Sequence, residues 1–146
     1  MGSRLNPYLS FRDNAREAME FYQGVFGGDL AISTFGEFGA TDGVPADGVM
    51  HAQLDTPSGY TLMASDTPEA MGDVTAGNTI AVSLSGDDVD ELSGYFARLS
   101  EGGTVTMPLA QQMWGDHFGM VTDRFGNAWM VNIAGPDDDE PPTANA

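Results

Sequence analysis

Apolar residues recur along this chain with two different periods. Ala15, Ala18, Met19, Tyr22, Val25 and Phe26 are spaced three and four apart, which puts them on one face of a helix. Asp13 or Asn14 can cap its start, and Gly27-Gly28 ends it. Val89, Leu92, Phe96 and Leu99 form a second such stripe. Asp87 and Asp88 suit the positive end of that helix, and Gly102-Gly103 stops it. Elsewhere the alternation is that of strands. "LNPYLSF" precedes the first helix and "NTIAVSL" the second; "LAISTF" and "TVTMPLA" follow the double glycines. "GVMHAQLDT" with "GYTLMAS", and "HFGMVTD" with "NAWMVNI", are pairs joined by short turns. Each half therefore reads strand, helix, strand, strand, strand.

The two halves keep register. Leu5 to Thr79, Tyr22 to Phe96 and Gly28 to Gly103 are offset by 74 or 75, and the hairpin glycines Gly59 and Gly126 by 67. A longer loop in the first half, "GEFGATDGVPAD", accounts for the difference. The pattern predicts an α+β fold of two tandem βαβββ modules, their curved mixed sheets sharing a cavity in one domain over residues 4–134. Module one covers about 4–65, a linker 66–77, and module two 78–134. The tail 135–146, "GPDDDEPPTANA", is acidic and Pro-rich and is expected to be disordered.

Alternation also assigns the strand faces. Helices should cover Leu9 and Phe11, Met50 and Leu54, Leu62, Ile80 and Val82, Trp129, Val131 and Ile133. The opposite face carries Asn6, Tyr8, Ser10, His51, Gln53, Thr61, Met63 and Ser65 in module one. In module two it carries Thr79, Ser83, Met130 and Asn132. A face so mixed suits a ligand cavity, or else a solvated surface. The hairpin offset matches His51 to Phe118 rather than to His117. Trp114, Asp116 and Phe118 should then point inward and His117 away, unless a bulge near Gly115 or Gly119 reverses the parity. The inward carboxylates are Asp55 and Asp116, near strand ends. A His51–His117 metal pair is not expected.

Composition narrows the partners. Against 22 acidic residues stand 5 arginines and no lysine, a formal charge of −17, so the basic footprint that phosphate binding needs is missing. No nucleic-acid or anionic-membrane partner is expected. Cysteine is absent, which excludes disulfides, thiolate catalysis and Cys-based metal sites. No signal-peptide pattern opens the chain, and no apolar run approaches the roughly 18 residues of a membrane span, so a soluble cytoplasmic protein is expected. "GEFG" and "GDHFG" lack the strand–GxGxxG–helix context of a dinucleotide site.

"NPYLSFRDNAREAMEFYQGVFGG", "VMHAQL", "YTLMASD" and "WGDHFGMVTDRFGNAWMVN", set in a duplicated βαβββ unit, resemble the vicinal oxygen chelate superfamily. That superfamily includes glyoxalase I, bleomycin-resistance proteins and extradiol dioxygenases; the phrases look like its PhnB-like branch. The resemblance covers about residues 4–134 and is specific for fold, not for function. In metal-dependent members, one ligand comes from the first and one from the last strand of each unit. Those positions fall on Asn6 (or Pro7), Met63, Thr79 and Met130, where the family uses His, Gln or Glu. Thioether, hydroxyl and amide do not replace imidazole and carboxylate. The resemblance thus implies a metal-free small-molecule binder with no cofactor, and a homodimer. Its ligand would meet Asn6, Tyr8, Ser10, His51, Gln53 and Met63 in module one. In module two it would meet Thr79, Trp114, Asp116, Phe118, Met130 and Asn132. The alternative is a lyase, isomerase or oxygenase, metal-free with His51 as the best catalytic candidate or with an unconventional metal site. A satisfied polar side chain is the plainer account of His51.

Overall fold

A computed structural model describes residues 2–39 and 44–135. The chain forms two compact units, Met1–Thr75 and Ala76–Ala146. In unit one, β1 (Tyr8–Phe11) leads to α1 (Ala15–Phe26), then β2 (Asp29–Thr34), β3 (Val49–Asp55) and β4 (Thr61–Asp66). Unit two repeats this as β5 (Val82–Gly86), α2 (Val89–Ser100), β6 (Thr104–Gln111), β7 (His117–Thr122) and β8 (Ala128–Ile133). The sheets are ordered β1-β4-β3-β2 and β5-β8-β7-β6, with β1 parallel to β4, β5 parallel to β8 and the other pairs antiparallel. These are the two βαβββ modules and the α+β class that the pattern predicts. From residue 136 on, the acidic tail lies outside the described residues.

Every position assigned to the buried stripe of α1 is buried, Tyr22 completely. In α2 the stripe is Leu92, Tyr95, Phe96 and Leu99. Val89 is a correction: it stays 56% exposed. The two helix starts are held differently. Asp88 caps α2 locally, its carboxylate accepting from Glu91 N at 3.0 Å. Asn14 makes no such bond; Ala15 N donates instead to Asp66 Oδ1 of β4 at 2.9 Å, and Asp66 Oδ2 accepts from Val49 N at 2.9 Å. Asp66, read as the first linker residue, thus ends β4 and ties it to both α1 and β3.

Register refines the repeat. Tyr8 pairs with Met63 and Ser83 with Met130, so the first strands correspond at an offset of 75, not 74. The helices remain at 74, because unit one has one more residue between strand and helix. Asp13 in that loop adopts a positive φ of 66°, the one non-glycine described residue to do so. The closing hairpins are built alike. Thr56 N bonds Tyr60 O and Gly59 N bonds Thr56 O; Asp123 N bonds Asn127 O and Gly126 N bonds Asp123 O. Gly59 and Gly126 have φ of 89° and 90°, a conformation that L side chains rarely adopt. The double glycines match as well. A Cβ on Gly28 would lie 2.2 Å from Asp55 O, and one on Gly103 2.3 Å from Thr122 O.

Face assignment by parity holds for Leu9, Phe11, Leu54, Leu62, Trp129, Val131 and Ile133, which share the helix side with Ala52, Ala64, Leu84 and Val121. Met50 is a correction: the pairing of β2 with β3 shifts between Ser33 and Thr34, and Val49 is buried in its place. Ile80 is another: it precedes β5 and is 82% exposed, so no strand fixes its direction.

Candidate functional site

In unit one the face away from α1 carries Tyr8, Ser10, Ala31, Ser33, His51, Gln53, Met63 and Ser65. Ala31, Gln53, Met63 and Tyr8 form one cross-strand row, Gln53 and Tyr8 both partnering Met63. Ser33 partners His51 and Ser10 partners Ser65. Strand β4 separates β1 from β3, so the Tyr8 ring has to reach across it to meet His51. Its hydroxyl lies 3.2 Å from His51 Nδ1, with the ring centroids 5.8 Å apart. The phenol O–H donates to Nδ1 when the ring proton is on Nε2, and Nδ1–H donates to the phenol oxygen when the proton is on Nδ1.

Two further groups are fixed at the end of this face. Gln53 Nε2 donates to Asp55 Oδ1 and Oδ2 at 3.3 and 3.0 Å, and Thr61 Oγ1 donates to Asp55 Oδ1 at 3.0 Å. Asn6, just ahead of β1, lines an open groove of about 460 Å³ with Asp55, Tyr60 and Thr61. Tyr60 is steadied there by an edge-on contact with Phe26, centroids 5.9 Å apart. A larger groove of about 980 Å³, between Arg12 and Asp73, contains none of the predicted site residues.

In unit two the face away from α2 carries Ser83, Ser85, Phe118, Met120, Met130 and Asn132. Pairing between β7 and β8 runs without a shift, so His117 has the parity of Gly119 and Val121, opposite to Phe118. No side chain fits at Gly119: its Cβ would lie 2.8 Å from the Phe96 ring. Asp116 Oδ2 accepts from Asn132 Nδ2 at 3.1 Å and Oδ1 from Gly135 N at 3.0 Å. Trp114 departs from the parity argument. It sits half-exposed in the turn between β6 and β7, where Gln112 N bonds Asp116 O and Gly115 N bonds Gln112 O, so strand alternation does not set its direction. Thr79 is exposed and ahead of β5; by the register it is Ala81 that corresponds to Asn6.

Sequence reasoning missed the buried carboxylates Asp66 and Asp123. Asp123 Oδ1 accepts from Phe125 N and Asn127 N at 2.9 and 3.1 Å, and Oδ2 from Trp129 Nε1 at 2.8 Å. An Asp at the head of a Gly-containing turn was the available signal for Asp123. It missed Ser33 as well, which partners His51 at the last regular step of the β2–β3 ladder before the pairing shifts.

The metal that metal-dependent relatives hold does not fit here. Asn6, Met63 and Met130 offer an amide and two thioethers, and neither Thr79 nor its register substitute Ala81 adds a nitrogen or carboxylate donor. Among the described residues, no three His, Cys, Asp or Glu side chains gather as a ligand set. His51, on the third strand of its unit, is at none of the four positions.

The family model of the Glyoxalase/Bleomycin resistance protein/Dioxygenase superfamily matches residues 4–131. The chain belongs to this superfamily. Protein YjdN of Escherichia coli strain K12 is 31% identical over 141 residues, 88% of this chain and 94% of that protein. The crystal structure of PA1353 from Pseudomonas aeruginosa is similar with a TM-score of 0.78 and 39% identity, covering 92% of this chain and 99% of that one. The PhnB protein of Bacillus cereus shares the fold at a TM-score of 0.73 and 24% identity, over 90% of this chain and 100% of that chain. Superfamily membership accounts for the duplicated unit. It leaves the chemistry to the residues on the sheet faces away from α1 and α2.

Proposed function

We propose that this protein binds a small molecule on the sheet faces away from its helices, as a metal-free member of the PhnB-like glyoxalase/bleomycin-resistance type. The observation that carries the reading is the Tyr8–His51 pair, an aromatic ring and an imidazole joined across β4 on the sheet face away from α1. Around it, Gln53, Ser10 and Met63 supply amide, hydroxyl and thioether, and Asn6 extends the polar lining into the adjoining groove. In unit two, Phe118, Met130 and Asn132 supply the same kinds of group, with Asp116 behind Asn132 and Trp114 in the neighbouring turn. Mixed apolar and polar lining of this sort orients a partly aromatic ligand. By analogy with the family, two copies of the chain work together as a homodimer.

The test is a screen of small aromatic compounds by thermal shift, with affinities then measured on variants. His51→Ala should weaken a hit by about 1–3 kcal/mol, the cost of a lost polar partner. His117→Ala, on the opposite parity, should change it by less than about 0.5 kcal/mol. Equal damage from both would remove the basis for the reading. The Tyr8–His51 hydrogen bond also favours a second reading, a metal-free enzyme in which His51 moves a proton. That reading requires turnover that His51→Gln abolishes while binding persists.

A further inference from the structure

The amides on the sheet faces away from the helices have a fixed polarity, and the following deepens the small-molecule reading above and rests on it. A carboxylate only accepts hydrogen bonds, so an amide beside one must turn its NH2 group toward it. Gln53 does so with Asp55, whose oxygens Thr61 also engages. Its carbonyl oxygen is thereby directed away from the carboxylate. Asn132 does the same with Asp116, which the backbone N–H of Gly135 holds in place. These two arrangements are not copies of one another. By the hairpin offset Gln53 corresponds to Met120, and Asn132 to Ser65. The same polarity has arisen at two unrelated positions of the repeat, one in each unit.

We propose that Asp55 and Asp116 are positioning residues, each within its own unit, that turn the carbonyl oxygens of Gln53 and Asn132 away from themselves as hydrogen-bond acceptors, and that the ligand taken at each face is a cation bearing N–H donors. A protonated amine, an amidine or a guanidine has this chemistry. A neutral hydroxyl could also donate to a carbonyl, but each carbonyl here is backed by a carboxylate within hydrogen-bonding distance of the amide nitrogen. Unlike the distant part of the −17 charge, which salt screens, these charges act at contact distance, Asp55 in a groove that Arg4 also lines and Asp116 bonded directly to Asn132. When the Tyr8 hydroxyl donates to His51 Nδ1, the imidazole Nε2–H can meet an acceptor elsewhere on a ligand at the unit-one face.

Benzamidine and benzoate, alike in size and opposite in charge, are the probes. Each is titrated to millimolar concentration into nitrogen-15-labelled protein, following the side-chain amides of Gln53 and Asn132. Benzamidine should shift these signals and bind at least about tenfold tighter than benzoate, a difference of ~1.4 kcal/mol. Asn at position 55 or 116 keeps the shape but both donates and accepts, so it frees the neighbouring amide to turn over. Asp55→Asn and Asp116→Asn should therefore shrink the benzamidine preference about tenfold. Gln53→Met, which removes the acceptor without changing charge, should weaken benzamidine and leave benzoate unchanged. A merely structural role would weaken both probes alike. Benzoate binding as tightly as benzamidine to the unaltered protein, or Gln53→Met leaving benzamidine affinity intact, overturns this inference but not the small-molecule reading. If neither probe perturbs any residue of the sheet faces away from the helices, both fall.

Discussion

The buried Asp123 carboxylate and its counterpart Thr56 form an internal comparison within one chain. Both head the turn of a closing hairpin, related by the offset of 67, and both turns make the same pair of backbone hydrogen bonds. Thr56 adds one side-chain bond, accepting from Tyr60 N at 3.0 Å. Asp123 is 3% exposed and accepts from three donors, of which the Trp129 indole N–H is the deepest. A buried donor that loses its acceptor costs ~1–3 kcal/mol. Phe125 and Asn127 are half-buried, so water can replace part of their loss, whereas Trp129 is 1% exposed. Asp123→Ala should therefore destabilise the protein by about 3–5 kcal/mol, and Thr56→Ala by about 1 kcal/mol. Urea denaturation followed by far-ultraviolet circular dichroism measures both on the same scale. A blue or red shift of the Trp129 emission in native Asp123→Ala would report the lost indole bond directly. Thr56→Ala costing as much as Asp123→Ala would show that the turns, and not the carboxylate, hold these hairpins.

Other consequences can be measured alongside. Phe96→Ala should cost about 3–5 kcal/mol in the same denaturation experiment, because its ring packs in the core of unit two against Gly119. Gly119→Ala should be destabilising by about 1–3 kcal/mol, since the added methyl meets both that ring and the Leu109 backbone. Sedimentation equilibrium at micromolar concentration should give about twice the chain mass; a monomer would refute the proposed dimer.

Periodicity and repeat spacing were enough for the helices, the strands and their grouping into two βαβββ units. Those features depend on which neighbours three, four or two positions apart share a face, and that is local geometry. Parity also separated Tyr8, His51, Gln53 and Phe118 from the helix-covered residues, because the ladders of β1 with β4, β2 with β3 as far as Ser33, β3 with β4 and β7 with β8 run without a shift over those positions. It failed where the chain leaves the regular ladder. Met50 lost its buried place to Val49 beside the irregular pairing of β2, Ile80 lies before its strand begins, and Trp114 is carried by a turn. Long-range partnerships were also invisible. Nothing near Asp66 in sequence indicates that it caps a helix more than fifty residues earlier. Nor does the spacing of Tyr8 and His51 show that a phenol crosses an intervening strand to reach an imidazole. Such contacts depend on strand order, and strand order is decided by how whole elements bury their apolar faces, a property no short window of sequence contains.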